Sequence, residues 1–173
     1  MGRSARIAIL LGVAAAACED PVRDQAIAAL GAEAAGVGRG PLHRPGQPCL
    51  LCHDPGGGRD RPFSVAGTIY ALADTLVPVT EVQIQLIDKD GRRFTARSNC
   101  AGNFYVRPSE YVPHYPMWAT VAAEDQTIDM ESPIYREGSC ASCHTDPKAP
   151  SSAGHVFLLD DPQASLAPGH RCP

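Results

Sequence analysis

The segment EVQIQLID, residues 81–88, and the turn Lys89-Asp90-Gly91 that follows it decide the fold class of this 173-residue chain. Val82, Ile84 and Leu86 alternate mostly with polar residues, and a period of two is typical of a strand with one face in the core. Asp-Gly is a preferred pair in tight hairpin turns, so the next run should pair with this strand in antiparallel fashion. The segment therefore predicts a β-hairpin.

Short runs of the same kind lie on both sides of this hairpin. They are rich in Val, Ile, Thr and aromatic residues, as strands are. The predicted strands are residues 63–72, 81–88, 92–97, 102–107 and 117–123, then a further strand after a turn at 124–125, and a last one at 155–159. Their number and spacing predict a mainly β fold, an antiparallel β-sandwich.

The N-terminus has the pattern of an export signal. Arg3 and Arg6 precede an uncharged, mostly apolar run at residues 7–17. That run is too short to span a bilayer and ends in small residues, which favours a signal peptide; a short buried helix is the alternative. Cys18 follows, and the junction resembles the lipobox of bacterial lipoproteins, with Ala15 where Leu is usual. The resemblance implies a lipid anchor on Cys18, and ordinary signal-peptidase cleavage before it is the alternative.

Two CxxCH motifs carry the chemistry of the sequence. The first is Cys49-Leu50-Leu51-Cys52-His53 and the second is Cys140-Ala141-Ser142-Cys143-His144. In a c-type haem site both thiols add to the porphyrin vinyl groups, and the histidine that follows binds the iron. We therefore expect two covalently attached haems c. The attachment thiols are Cys49, Cys52, Cys140 and Cys143, and the proximal iron ligands are His53 and His144.

Other uses of the two CxxC pairs remain open. The four thiolates could bind one structural zinc ion, although zinc-binding pairs usually lie much closer in sequence. Each pair could also form a disulfide in an oxidising compartment. A thioredoxin-like redox motif would need a βαβ context, which the strand pattern lacks.

The second axial ligand of each iron is open to several residues. His43 lies ten residues before His53, and His155 lies eleven residues after His144, so these two are the candidate distal ligands. Further candidates are His114, Met117 and Met130. Ligation by two histidines favours a lower potential than His/Met ligation. An iron with an open position would instead favour ligand sensing or peroxidase-like chemistry.

The other cysteines fit the same scheme. Of the 7 cysteines, four are assigned to haem and Cys18 to lipid, which leaves Cys100 and Cys172. An even remainder in an oxidising compartment predicts a disulfide between them, and two free thiols are the alternative.

The expected organisation has four segments. Residues 1–17 are the signal peptide. Residues 18–61 are a lipid-anchored arm with a short helix, which Asp20-Pro21 would start, and the first haem motif. Residues 62–159 are the β-sandwich, with the second haem motif in a loop at 131–150, and residues 160–173 are a polar tail.

Four segments of the strand region match a known module. They are Val65-Ala66-Gly67-Thr68-Ile69-Tyr70, Val82-Gln83-Ile84-Gln85-Leu86, Asp90-Gly91 and Ser98-Asn99-Cys100-Ala101-Gly102-Asn103-Phe104-Tyr105. They resemble the carboxypeptidase-regulatory-like sandwich, a transthyretin-like module. That family usually carries Gly-x-Pro-Leu-x-Gly-Ala before its second strand, and here Leu76-Val77-Pro78-Val79-Thr80-Glu81 stands there without the glycines. The resemblance implies a fold and no peptidase activity.

The whole mature chain resembles envelope proteins in which such a sandwich lies between two haem motifs; residues 40–49 and 138–145 carry this likeness. We expect a dihaem c-type cytochrome that transfers single electrons to a redox partner protein and has no catalytic residues. Its expected location is the periplasm or cell surface, as an outer-membrane lipoprotein of a Gram-negative bacterium. The net charge of -4 does not fit nucleic-acid binding. The alternative is an envelope binding or structural module in which haem, zinc or disulfides at the CxxC pairs are structural.

Overall fold

The structure is a computed structural model and describes residues 20–33, 36–56, 61–123, 126–145 and 148–159. The helices are α1 (Pro21–Ala29) and α2 (Cys49–His53), and a 3-10 turn covers Cys140–Ser142. The strands are β1 (Val65–Leu72), β2 (Gln83–Asp88), β3 (Arg93–Arg97), β4 (Asn103–Val106), β5 (Met117–Ala123), β6 (Gln126–Asp129) and β7 (Val156–Leu159). The predicted signal peptide, the lipid-anchor residue Cys18, and the tail with Cys172 lie outside the described residues.

The strands form two sheets, with the orders β4-β1-β7 and β3-β2-β5-β6. Both contribute to one core, in which Ile69 and Phe104 from the first sheet join Ile84, Leu86 and Val121 from the second. The prediction of a mainly β, sandwich-like fold is therefore confirmed.

The four-stranded sheet is antiparallel and follows the sequence pattern closely. Ile84 and Leu86 of β2 are buried, whereas Gln85 between them is exposed. At the hairpin the N–H of Asp88 donates to the carbonyl of Arg92 at 3.0 Å, and β2 pairs with β3 in antiparallel register. The Asp-Gly turn is thus where it was predicted.

The three-stranded sheet is mixed, and here the prediction of a wholly antiparallel sandwich was wrong. β4 pairs with β1 antiparallel, but β7 pairs with β1 in parallel, with Ile69 opposite Val156. The cause is the route of the chain before β7. Ser139 already forms a parallel bridge with Ala66 at the start of β1, so the chain then advances along β1 in the same direction.

The N-terminal arm contains the expected helix. The Asp20 carboxylate caps α1, because its Oδ1 accepts hydrogen bonds from the N–H groups of Val22 and Arg23, both at 3.1 Å. The helix ends at Ala29, because Gly31 takes a left-handed conformation with φ 70°, and such a residue ends a helix. Among the described residues, no helix is both long and apolar enough to cross a membrane.

Candidate functional site

The first CxxCH motif forms the single helical turn α2. Residues three and four apart share one face of a helix, so Cys52 and His53 both lie beside Cys49. Two contacts fix the turn. The Arg23 guanidinium, from α1, donates through Nε to the carbonyl of Leu51 at 2.7 Å. The N–H of Phe63, just before β1, donates to the carbonyl of His53 at 2.8 Å.

The second motif forms a turn of the same kind. The N–H of Cys143 donates to the carbonyl of Cys140 at 3.2 Å, and the N–H of His144 donates to the same oxygen at 2.8 Å. Cys140 packs directly on Gly67 of β1, where a Cβ atom would lie 2.8 Å from the Cys140 sulfur. A glycine at position 67 therefore leaves the space that the first thiol of the second motif occupies.

The two motif histidines are held in matching ways. The Nδ1 atom of His53 lies 2.9 Å from the carbonyl oxygen of Arg61, and the Nδ1 atom of His144 lies 2.9 Å from that of Gly154. A carbonyl only accepts hydrogen bonds, so Nδ1 carries a proton in each ring, and in the neutral imidazole Nε2 then has the lone pair. Metal-bound histidines are held by the same kind of contact.

All four motif cysteines are free thiols, whereas Cys100 is disulfide-bonded. Burial raises the pKa of the Cys49 thiol to about 11, and the neighbouring Cys52 adds to the rise. Burial likewise raises the pKa of Cys140 to about 12, with contributions from Cys49 and Cys143. The predicted partner of Cys100, Cys172, lies outside the described residues.

The arrangement of the donor side chains can be compared with the needs of zinc and of haem. Among the residues that the structure describes, which include both CxxC pairs, no group of three or more His, Cys, Asp or Glu side chains is placed to hold a metal ion. Nor do the pairs form internal disulfides. A covalently attached haem needs less from each motif, namely two free thiols on one face and one oriented histidine, and both motifs provide these.

The candidate distal ligands lie in different surroundings. The ring of His43 is 6.0 Å from that of His53, centre to centre. His155 is buried, with Nε2 2.9 Å from the carbonyl oxygen of Leu72 and its ring 4.8 Å from that of Tyr70. Its predicted distal role stays a prediction, and ligation through Nε2 would require this contact to open.

The other sequence candidates are engaged elsewhere. The Nδ1 atom of His114 lies 2.5 Å from a carboxylate oxygen of Asp90, at the hairpin. Met117 is fully buried in the core. Met130 is half-buried beside β5, where its N–H donates to the carbonyl of Ala119 at 3.0 Å.

An aromatic column beside the first motif was not predicted. The ring of Phe63 stacks on that of His53 with centroids 4.5 Å apart, and the ring of Tyr105 in β4 stacks on that of Phe63 with centroids 4.8 Å apart. Both residues lie in or next to predicted strands, where aromatic residues are common, so no sequence signal marked them. The column limits the rotation of the His53 ring.

The chain matches no known protein family, and neither a curated protein nor a solved structure is similar to it.

Proposed function

We propose that this protein is a dihaem c-type cytochrome of the cell envelope that transfers single electrons. The matching geometry of His53 and His144 supports this most strongly. In two turns far apart in sequence, Nδ1 donates to a backbone carbonyl and Nε2 remains for a metal. One such contact is common in any protein. Two of them, each on the histidine of a CxxCH motif, favour the same role for both histidines, that of an iron ligand.

Each residue of the motifs has a defined role in this proposal. Cys49 and Cys52 hold one haem, Cys140 and Cys143 hold the other, and each iron supplies one-electron redox chemistry when bound. The carbonyls of Arg61 and Gly154 fix the tautomers of the two histidines and raise their basicity as ligands. The β1 strand supports both turns, through Phe63 beside it and through Gly67, and so fixes their relative position.

The wider setting belongs to the same proposal. We propose that Cys18 carries a lipid anchor, that Cys100 pairs with Cys172, and that the two-sheet core is of the carboxypeptidase-regulatory-like kind. The location is then the periplasmic or outer face of an outer membrane, and the partner is a redox protein. Free thiols in both haem motifs of a chain that also holds a disulfide at Cys100 fit an oxidising compartment in which attachment consumes those thiols.

The test is to produce the full chain in a periplasm with active cytochrome c maturation, then record its intact mass and its pyridine haemochrome spectrum. The expected result is a mass for two haems with a c-type spectrum. The double variants Cys49→Ala/Cys52→Ala and Cys140→Ala/Cys143→Ala should each retain one haem, and Cys100→Ala, the matched cysteine control, should retain two. Haem-free protein that binds zinc, or that forms disulfides within the pairs, would overturn the proposal.

A redox titration separates electron transfer from a structural role of haem. Reversible one-electron cycling at each iron, with rapid exchange to a soluble redox protein, is expected of the proposed cytochrome. Haems that cannot be reduced within a physiological range of potential would instead identify the envelope binding or structural module.

A further inference from the structure

We infer that His43 is the second axial ligand of the iron in the first haem, opposite His53. This inference rests on the proposed function, since it requires a haem at Cys49 and Cys52. It assigns one of several sequence candidates to one of the two irons. It also predicts that this iron has both axial positions filled by protein.

The separation of the two rings supports the assignment. The ring centres of His43 and His53 are 6.0 Å apart, and the rings are tilted by 48°. Two imidazoles on opposite sides of one metal, each with a metal–nitrogen bond of about 2 Å, have ring centres roughly 6 Å apart. The tilt is unrestricted in such a pair, because each ring can rotate about the axis through the metal.

The Nδ1 atom of His43 contacts the backbone of Gly40. It lies against the carbonyl oxygen of Gly40, and the N–H of Gly40 is 3.3 Å from the same atom. In the proposed site Nδ1 donates to this carbonyl, as Nδ1 of His53 does to the carbonyl of Arg61, so that Nε2 of each ring is left for the iron.

The loop that carries His43 is tied to the sheet. The side-chain amide of Asn103 in β4 donates to the carbonyl of His43 at 3.1 Å, and that of Asn99 donates to the carbonyl of Pro41 at 2.7 Å. The N–H of Gly46 donates to the hydroxyl of Thr68 in β1 at 2.8 Å. A ligand on a loop held at three points needs little reorganisation to bind.

The test uses the full-length protein with mature haem and the Cys140→Ala/Cys143→Ala background, which leaves the first haem alone. In this background we compare His43, His43→Ala and His43→Met. The readouts are haem content by mass, spin state by electron paramagnetic resonance, and the absorbance change on adding carbon monoxide. His114→Ala is the matched control, since it removes a half-exposed histidine that contacts Asp90.

With His43 present, the haem should be low-spin and should bind little carbon monoxide. His43→Ala should keep the haem, turn it high-spin and bind about one carbon monoxide per haem. His43→Met should stay low-spin with a raised potential, as a His/Met iron does, and it serves as the test if the alanine variant does not mature. The control should match the parent.

The two proposals fail in different ways. A haem that is present in every variant, with a spin state that neither substitution changes, would overturn the assignment of His43 and leave the cytochrome intact. A parent protein without covalent haem would overturn the proposed function itself.

Discussion

Asp88 is a buried carboxylate beneath the β2–β3 hairpin, with 2% of its surface exposed. Its oxygens accept hydrogen bonds from the N–H groups of Asp90, Arg92 and His114 and from Nε of Arg92, at 2.9–3.1 Å. Burial alone would raise its pKa. The hydrogen bonds from His114, Arg92 and Asp90 outweigh burial and hold the pKa of Asp88 well below its usual range.

The substitution Asp88→Asn should therefore lower the melting temperature at neutral pH by several degrees. A carboxyl whose pKa is depressed by folding stabilises the protein above its unfolded pKa of about 3.9, and this stability is lost as pH falls through the folded pKa. The melting temperatures of the wild type and of Asp88→Asn should thus approach each other as the pH falls from 7 to 2. Asp129→Asn, on the exposed strand β6, is the control, and a constant gap between variant and wild type at every pH would contradict the prediction.

Cys140 and Cys143 should differ sharply in reactivity when the protein lacks haem. Burial raises the pKa of Cys140 to about 12, and Cys143 is exposed. Alkylation requires the thiolate, so iodoacetamide at pH 8 should label Cys143 and largely spare Cys140. The rate at Cys140 should rise with pH toward 12. Peptide mass mapping measures both rates, and unfolding in urea, the control, should equalise them. Equal rates without urea would contradict the raised pKa of Cys140.

At the scale of elements, the strands could be predicted from the sequence to within two residues at each end. Alternation in β2 and the Asp-Gly turn are local signals, and local signals decide where a strand lies. The direction in which β7 pairs with β1 was not predictable in this way, because nothing within residues 155–159 encodes the approach of the chain from Ser139. Pairing direction depends on the whole route between two strands.

The residues of the candidate site likewise include some that could be predicted from local sequence and some that could not. The CxxCH motifs identify six side chains directly from sequence. The carbonyl of Gly154 beside His144, the stack of Phe63 on His53 and the position of His43 depend on contacts between distant segments. Such contacts follow from packing, and no spacing within one segment encodes them.

Two glycines test how much a turn depends on its surroundings. Gly91 and Gly102 both have left-handed φ angles, 77° and 73°. A Cβ atom added to Gly102 would lie 2.3 Å from the carbonyl oxygen of Ile69, whereas a Cβ atom added to Gly91 would have no neighbouring atom within 4 Å. Gly91→Ala should lower the free energy of unfolding by about 1–2 kcal/mol, the cost of the conformation alone. Gly102→Ala should lower it by about 3 kcal/mol or more, since β1 must also shift. Urea denaturation measures the free energy of unfolding of both variants. Equal decreases would mean that β1 shifts at no energetic penalty, which would contradict the prediction.

At the scale of the molecule, the disulfide at Cys100 links the turn before β4 to a distant part of the chain. Four of the other cysteines are free, and Cys18 and Cys172 lie outside the described residues. A disulfide typically contributes about 2–4 kcal/mol by restricting the unfolded chain. A reductant should therefore lower the stability of the wild type by this amount and leave Cys100→Ser unchanged.

Peptide mapping of the unreduced protein identifies the partner, which we predict to be Cys172. A bond from Cys100 to Cys18 would contradict this prediction and would also occupy the thiol that the proposed lipid anchor requires.

The parallel pairing of β7 with β1 has a consequence for the order of events during biosynthesis. In a chain that is synthesised and exported from its N-terminus, β1 emerges long before residue 156, so one edge of β1 stays uncovered in the incomplete chain and is open to incorrect pairing. Until the second motif packs on Gly67, its first thiol is accessible, whereas in the folded protein Cys140 is partly buried there. Folding of this segment thus sets a time limit on covalent modification of Cys140, and a chain that folds too early should accumulate with one motif unmodified.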